Sequence, residues 1–119
     1  MKRVMIGFLL IVVTGSTRIE AHAFLERAEP AVGSTVPTSP GEIRIWFSEK
    51  IDSAFSTIRV FDASGRQVDK RDVHPDRSNQ ALLRTSLPPL QAGTYKVVWR
   101  VAATDTHVTK GSFTFRLIR

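Results

Sequence analysis

Apolar and polar residues alternate with a period of two along most of this chain, the signature of β-strands with one face buried and the other wet. Ile43, Ile45 and Phe47 alternate with Glu42, Arg44, Trp46 and Ser48, and Tyr95, Val97, Trp99 and Val101 with Lys96, Val98 and Arg100. Phe113, Phe115 and Leu117 do the same with Ser112, Thr114 and Arg116, and residues 58–61 and 81–87 supply two further short strands. No segment carries the 3.6-residue period of a long amphipathic helix. Turn signals punctuate the runs at Glu29-Pro30 with Gly33, Ser39-Pro40-Gly41, Asp62-Ala63-Ser64-Gly65, Pro88-Pro89 and Ala92-Gly93. Residues 62–65 read as a hairpin loop. Residues 66–80, dense in charge and poor in apolar side chains, read as an exposed loop. About seven strands at intervals of roughly 8–12 residues predict an all-β fold, a Greek-key β-sandwich of immunoglobulin-like or cupredoxin-like kind.

The first 21 residues break the pattern. Lys2 and Arg3 precede a ten-residue apolar run, 4–13, and a small, polar stretch reaches Ala21, which together read as a secretory signal peptide. The run falls well short of the roughly 18 residues that a membrane span needs, so the mature chain is expected to be soluble, periplasmic and without a span. Cleavage after Ala21 leaves residues 22–119 as one domain. It removes Lys2, Arg3, Arg18 and Glu20, so that 17 basic and 11 acidic residues become 14 and 10 and the net charge falls from +6 to +4. A small-x-small reading of Ala21-x-Ala23 offers a competing cut after Ala23, which would discard His22. The cations are spread along strand positions and form no nucleic-acid footprint; a monomer is expected. With no cysteine in the chain, disulfide frameworks, zinc-thiolate sites, iron–sulfur clusters and cysteine nucleophiles are excluded.

Candidate chemistry rests on the histidines. His107 lies in Asp105-Thr106-His107, and in extended chain residues two apart project to one side about 7 Å from each other, so both side chains can converge on one ion. The same residues also serve as ordinary turn formers. His22 shifts that balance, because cleavage after Ala21 makes it the first residue and sets a free α-amine beside an imidazole. Reference pKa values of about 7.7–8.0 for an amine and about 6.5 for imidazole mean that a metal displaces few protons to take both near neutral pH. Amine, two imidazoles and the Asp105 carboxylate make a three-nitrogen, one-oxygen set suited to tetragonal Cu(II), which stands at the top of the divalent affinity order. His74, beside Pro75 and between Asp72 and Asp76, reads as an exposed loop residue.

At these residues the sequence resembles the CopC-type periplasmic copper-binding proteins, small exported β-sandwiches associated with bacterial copper resistance. The resemblance spans essentially all of residues 22–119. It is carried by His22-Ala23-Phe24-Leu25 with Glu29-Pro30-Ala31 and Gly33, by Ile45-Trp46-Phe47-Ser48-Glu49, by residues 93–101 running into Asp105-Thr106-His107, and by Gly111-Ser112-Phe113-Thr114-Phe115. It implies one Cu(II) per chain, bound by the amine and ring of His22 together with Asp105 and His107. In some members a further carboxylate comes from the Phe-Ser-Glu segment, here Glu49. It also implies a carrier or reservoir role in copper resistance or homeostasis, with an inner-membrane copper transporter of the CopD type as a partner. Two departures stand out. Certain members carry a methionine-rich Cu(I) site, whereas this chain has only Met1 and Met5, both inside the signal; and Val108 stands where the family often has proline.

Two other classes compete with a carrier. A metal-free immunoglobulin-like interaction module would treat Asp105 and His107 as loop residues. A copper-dependent oxidative enzyme, by resemblance to the amine-plus-two-histidine copper site of lytic polysaccharide monooxygenases, would need an open axial position and a broad substrate surface. Metal content of the native protein, and oxidation of added polysaccharide, separate the three.

Overall fold

In a computed structural model that describes residues 23–119, the alternating segments form two four-stranded sheets. The strands are β1 (Leu25–Glu29), β2 (Thr35–Val36), β3 (Glu42–Phe47), β4 (Thr57–Phe61), β5 (His74–Asp76), β6 (Asn79–Ser86), β7 (Gly93–Ala102) and β8 (Val108–Leu117), with a short 3-10 turn at Ser53–Phe55. One sheet runs β1-β3-β6-β5 and the other β2-β8-β7-β4. Every pairing is antiparallel except β2 with β8. The signal peptide and His22 lie outside the described residues, and no helix among those described is long and apolar enough to cross a membrane.

The inward positions of both sheets meet in one core. Ile43, Ile45 and Phe47 from β3 and Leu83 from β6 pack with Ile58 and Val60 from β4, and with the alternate residues of β7 and β8 from Tyr95 to Leu117. Full burial of each such side chain is worth about 1.5–3 kcal/mol. Two aromatic pairs organise the interior: Trp99 stands edge-on to Phe47 with ring centres 5.3 Å apart, and Tyr95 stacks on Phe115 at 5.4 Å. The Tyr95 hydroxyl donates to the Gln91 carbonyl at 2.6 Å, the corner by which a sandwich pins a strand entry. Gly111 faces Trp99 across the β7–β8 ladder, and a Cβ there would lie 2.5 Å from the indole.

The segment 66–80 departs from the exposed loop expected of it. Its residues 74–76 form the edge strand β5 on β6, and Asp69 within it is buried. The Asp69 carboxylate accepts the backbone N–H of Val60 at 2.8 Å and that of Arg71 at 3.1 Å, while Val68 and Val73 pack against the core. A charged residue thus goes inside because it satisfies a β4 backbone donor, and the segment is tied down on both sheets. The 62–65 turn forms as expected: the Asp62 carboxylate accepts from the N–H groups of Ser64 and Arg66, and Gly65 takes a positive φ of 88°.

Candidate metal centre

Three chain segments meet at one end of the sandwich: the start of the described chain, residues 48–52 after β3, and the β7–β8 connection. That connection is a closed turn. The Ala103 N–H donates to the His107 carbonyl at 2.9 Å, and the Thr106 N–H to the Ala103 carbonyl at 2.8 Å. Thr106 sits at φ 77°, a left-handed conformation that a β-branched residue adopts at some energetic cost. The expected extended geometry at Asp105 and His107 is therefore replaced by a turn. The Asp105 carboxylate accepts the His107 backbone N–H through Oδ1 at 3.1 Å, and its Oδ2 lies 3.1 Å from the ring Nδ1 of His107. Both side chains reach solvent, at 40% and 59% exposure.

The turn is fastened to its neighbours through backbone groups. The Thr104 N–H donates to the Lys50 carbonyl at 3.1 Å, the Asp52 N–H to the Ala102 carbonyl at 2.8 Å, and Ile51 bridges to Ala103. Glu49 lies between Ser48 and Lys50 and is half-buried.

The chain start is held against this same end. Ala23 is fully buried in the core, and its carbonyl accepts the Thr109 hydroxyl at 2.6 Å. The Phe24 N–H donates to the Ser48 hydroxyl at 2.8 Å, while the Ser48 N–H returns a bond of 2.8 Å to the Phe24 carbonyl. Thr109 stands two residues beyond His107, and Ser48 is next to Glu49.

Asp105 and His107 are therefore brought together, and Glu49 is carried to the same end by its backbone. Among the described residues no group of three or more metal-ligating side chains converges, and His22 lies outside them. His74 stands exposed on β5, at the edge of the other sheet, with its Nδ1 2.7 Å from the Asp72 carbonyl. Val108 opens β8 opposite Ala102. Sequence reasoning missed Ser48 and Thr109, whose hydroxyls fix the chain start; each is an ordinary strand-end residue in the sequence and carries no signal there.

Comparison with known proteins places these features in a family. The CopC domain model matches residues 25–118. Copper resistance protein C of Pseudomonas syringae pv. tomato is 32% identical over 108 residues, covering 86% of this chain and 85% of that protein. The crystal structure of CopC from Methylosinus trichosporium OB3b superposes with a TM-score of 0.77 at 28% identity, over 82% of this chain and 94% of that one. PcoC, a methionine-rich copper resistance protein from Escherichia coli, gives 0.72 at 32% identity over 82% and 99%. Domain match, sequence relatives and sandwich architecture agree: the chain belongs to the CopC family.

Proposed function

We propose that this protein is an exported, periplasmic copper carrier or reservoir that holds one Cu(II) per chain through the α-amine and ring of His22, the Asp105 carboxylate and the His107 imidazole. The CopC family is one of copper-binding resistance proteins rather than enzymes, so the copper is cargo. The observation that carries the reading is the anchoring of Ala23 and Phe24 to Thr109 and Ser48. Ala23, the residue bonded in sequence to His22, is thereby held at the end of the sandwich that carries the Asp105–His107 turn.

Donor chemistry supports the same assignment. Bonds of about 2.0–2.2 Å from a first-row metal to histidine nitrogen and carboxylate oxygen put two ligand atoms at right angles on one ion about 3 Å apart. Asp105 Oδ2 and His107 Nδ1 stand 3.1 Å apart, a spacing at which both can ligate one ion. Glu49, on the segment that bonds to both Phe24 and Thr104, is proposed as an additional carboxylate near the ion. Cu(I) is not the cargo in this reading, since soft Cu(I) wants sulfur ligands and the only methionines are Met1 and Met5. A solvent-facing ion at a loop can be passed on, and a CopD-type inner-membrane transporter is the proposed recipient.

The burial of Ala23 in the core also favours cleavage after Ala21, because a cut after Ala23 would remove a packed residue together with the carbonyl that Thr109 holds. Intact mass of the exported protein tests this; a chain starting at Phe24 contradicts the whole site. Copper titration then tests the ligands. His22→Ala and His107→Ala should abolish or greatly weaken binding, Asp105→Ala should weaken it, and His74→Ala should leave it unchanged. Loss in His74→Ala alone would overturn the assignment.

A further inference from the structure

The two sheets carry their charge differently. On the outer face of β1-β3-β6-β5 each arginine has carboxylate partners: Arg27 and Arg44 with Glu29, and Arg84 with Glu42 at 2.7 Å and Asp76 at 2.6 Å. The outer face of β2-β8-β7-β4 holds Arg59, Lys96, Arg100, Lys110 and Arg116, all exposed, and its four strands contain no acidic residue. None of these five cations forms an ion pair with a described residue. Arg100 stands directly opposite Lys110 in the β7–β8 ladder, an arrangement of like charges that destabilises a sheet. No described residue neutralises the positive field of this face.

We propose that this face docks on an anionic phospholipid bilayer. Lys110 and Arg116 lie six positions apart on β8, about 20 Å at the usual rise, and the cations are spread over three neighbouring strands. That is a dispersed charge on a plane, which suits a plane of mobile headgroups better than it suits one acidic loop of a protein. An apolar edge accompanies it: Phe55, 69% exposed, and Val108, 46% exposed, flank a groove whose lining includes Arg100. Basic residues with an exposed aromatic beside them are the combination that seats in the headgroup boundary. Val108 follows His107, so docking would hold the candidate copper end close to the membrane. The inference itself rests on charge and exposure and stands whether or not copper binds.

Cosedimentation of copper-free exported protein with vesicles tests it. Intact mass should first confirm that the apolar run 4–13 is absent, since that run would bind lipid by itself. Vesicles of phosphatidylcholine with a quarter phosphatidylglycerol should capture the protein at low salt, and vesicles of phosphatidylcholine alone should not. Capture should fade as ionic strength shortens the Debye length. Each cation near such a surface contributes about a fivefold change in partitioning, so Arg100→Gln/Lys110→Gln should weaken capture roughly 25-fold. Lys70→Gln/Arg77→Gln, which removes equal charge from the segment beside the other sheet, should change it little. Equal capture by both lipids, equal loss in both double variants, or no capture by anionic vesicles alongside tight binding to an acidic polypeptide would overturn the proposal. The wild-type comparison of the two lipids stands even if a variant folds poorly.

Discussion

Replacing Thr109 with valine keeps the shape of the side chain and removes the hydroxyl that donates to the Ala23 carbonyl at 2.6 Å. A neutral hydrogen bond contributes about 0.5–1.5 kcal/mol net, and a buried acceptor left without its donor costs about 1–3 kcal/mol. Ala23 is fully buried, so the chain start should lose roughly 1–2 kcal/mol of its preference for the docked position. If that docking places His22 for copper and the loss undocks the metal-free chain start, copper must redock it on binding, and at about 1.4 kcal/mol per tenfold the Cu(II) affinity should fall by up to about 5- to 30-fold. The assay is competitive titration against a chelator of known affinity, with thermal unfolding of the metal-free protein alongside. A shift of about 4–8 °C per kcal/mol is the scale for a domain of this size, and the shift should stay at its low end because the tether lies at a chain end. Thr109→Ser restores the donor and should restore the affinity. An affinity unchanged within twofold in a valine variant whose metal-free chain start has come undocked would refute the idea that this tether positions a ligand.

Two further outcomes follow from the fold. Gly111→Ala places a methyl group 2.5 Å from the Trp99 ring, itself wedged against Phe47; overpacking of this kind costs about 1–3 kcal/mol, and an unfolding midpoint at or above wild type would show that the indole yields freely. Asp76 is held at a pKa of about 2, first by the Ser78 hydroxyl and then by Arg84. Its folded value lies below the unfolded one, so its contribution to stability is present above pH 4 and is lost as pH falls towards 2. Asp76→Asn should flatten the pH dependence of unfolding in that window, and an unchanged slope would assign it to other carboxylates.

Strands β3, β7 and β8 were legible in the sequence because each buries one face and wets the other, which writes the period of two directly into residues such as Ile43, Ile45 and Phe47. β1 was not, since the register shifts between Leu25 and Arg27 and the bulge breaks the alternation. β2 and β5 span two and three residues, too few to show a period, and β5 is built from His74-Pro75-Asp76 in a charged stretch. The burial of Asp69 was invisible because its partner is the backbone N–H of Val60, a group every residue carries. At the candidate site, Asp105 and His107 were legible as a pair of donor types at close spacing, while the turn that brings them to 3.1 Å depends on Thr106 taking a left-handed conformation. The tethers join Phe24 to Ser48 and Ala23 to Thr109 across 24 and 86 residues, and only the folded chain brings them together.

If a free N-terminal amine binds the copper, one extra residue placed before His22 should remove that bond and leave the other ligands in place. Such a chain keeps the side chains of His22, Asp105 and His107, but it turns the His22 nitrogen into an amide, a poor ligand unless deprotonated. The measurement is Cu(II) affinity together with the spectroscopic count of nitrogen ligands, on the extended chain and on the chain beginning at His22. The native start should hold one Cu(II) tightly, and the extended chain should bind it far more weakly with the metal-free unfolding midpoint unchanged. Equal affinity with an equal nitrogen count would mean that the free amine is not a ligand.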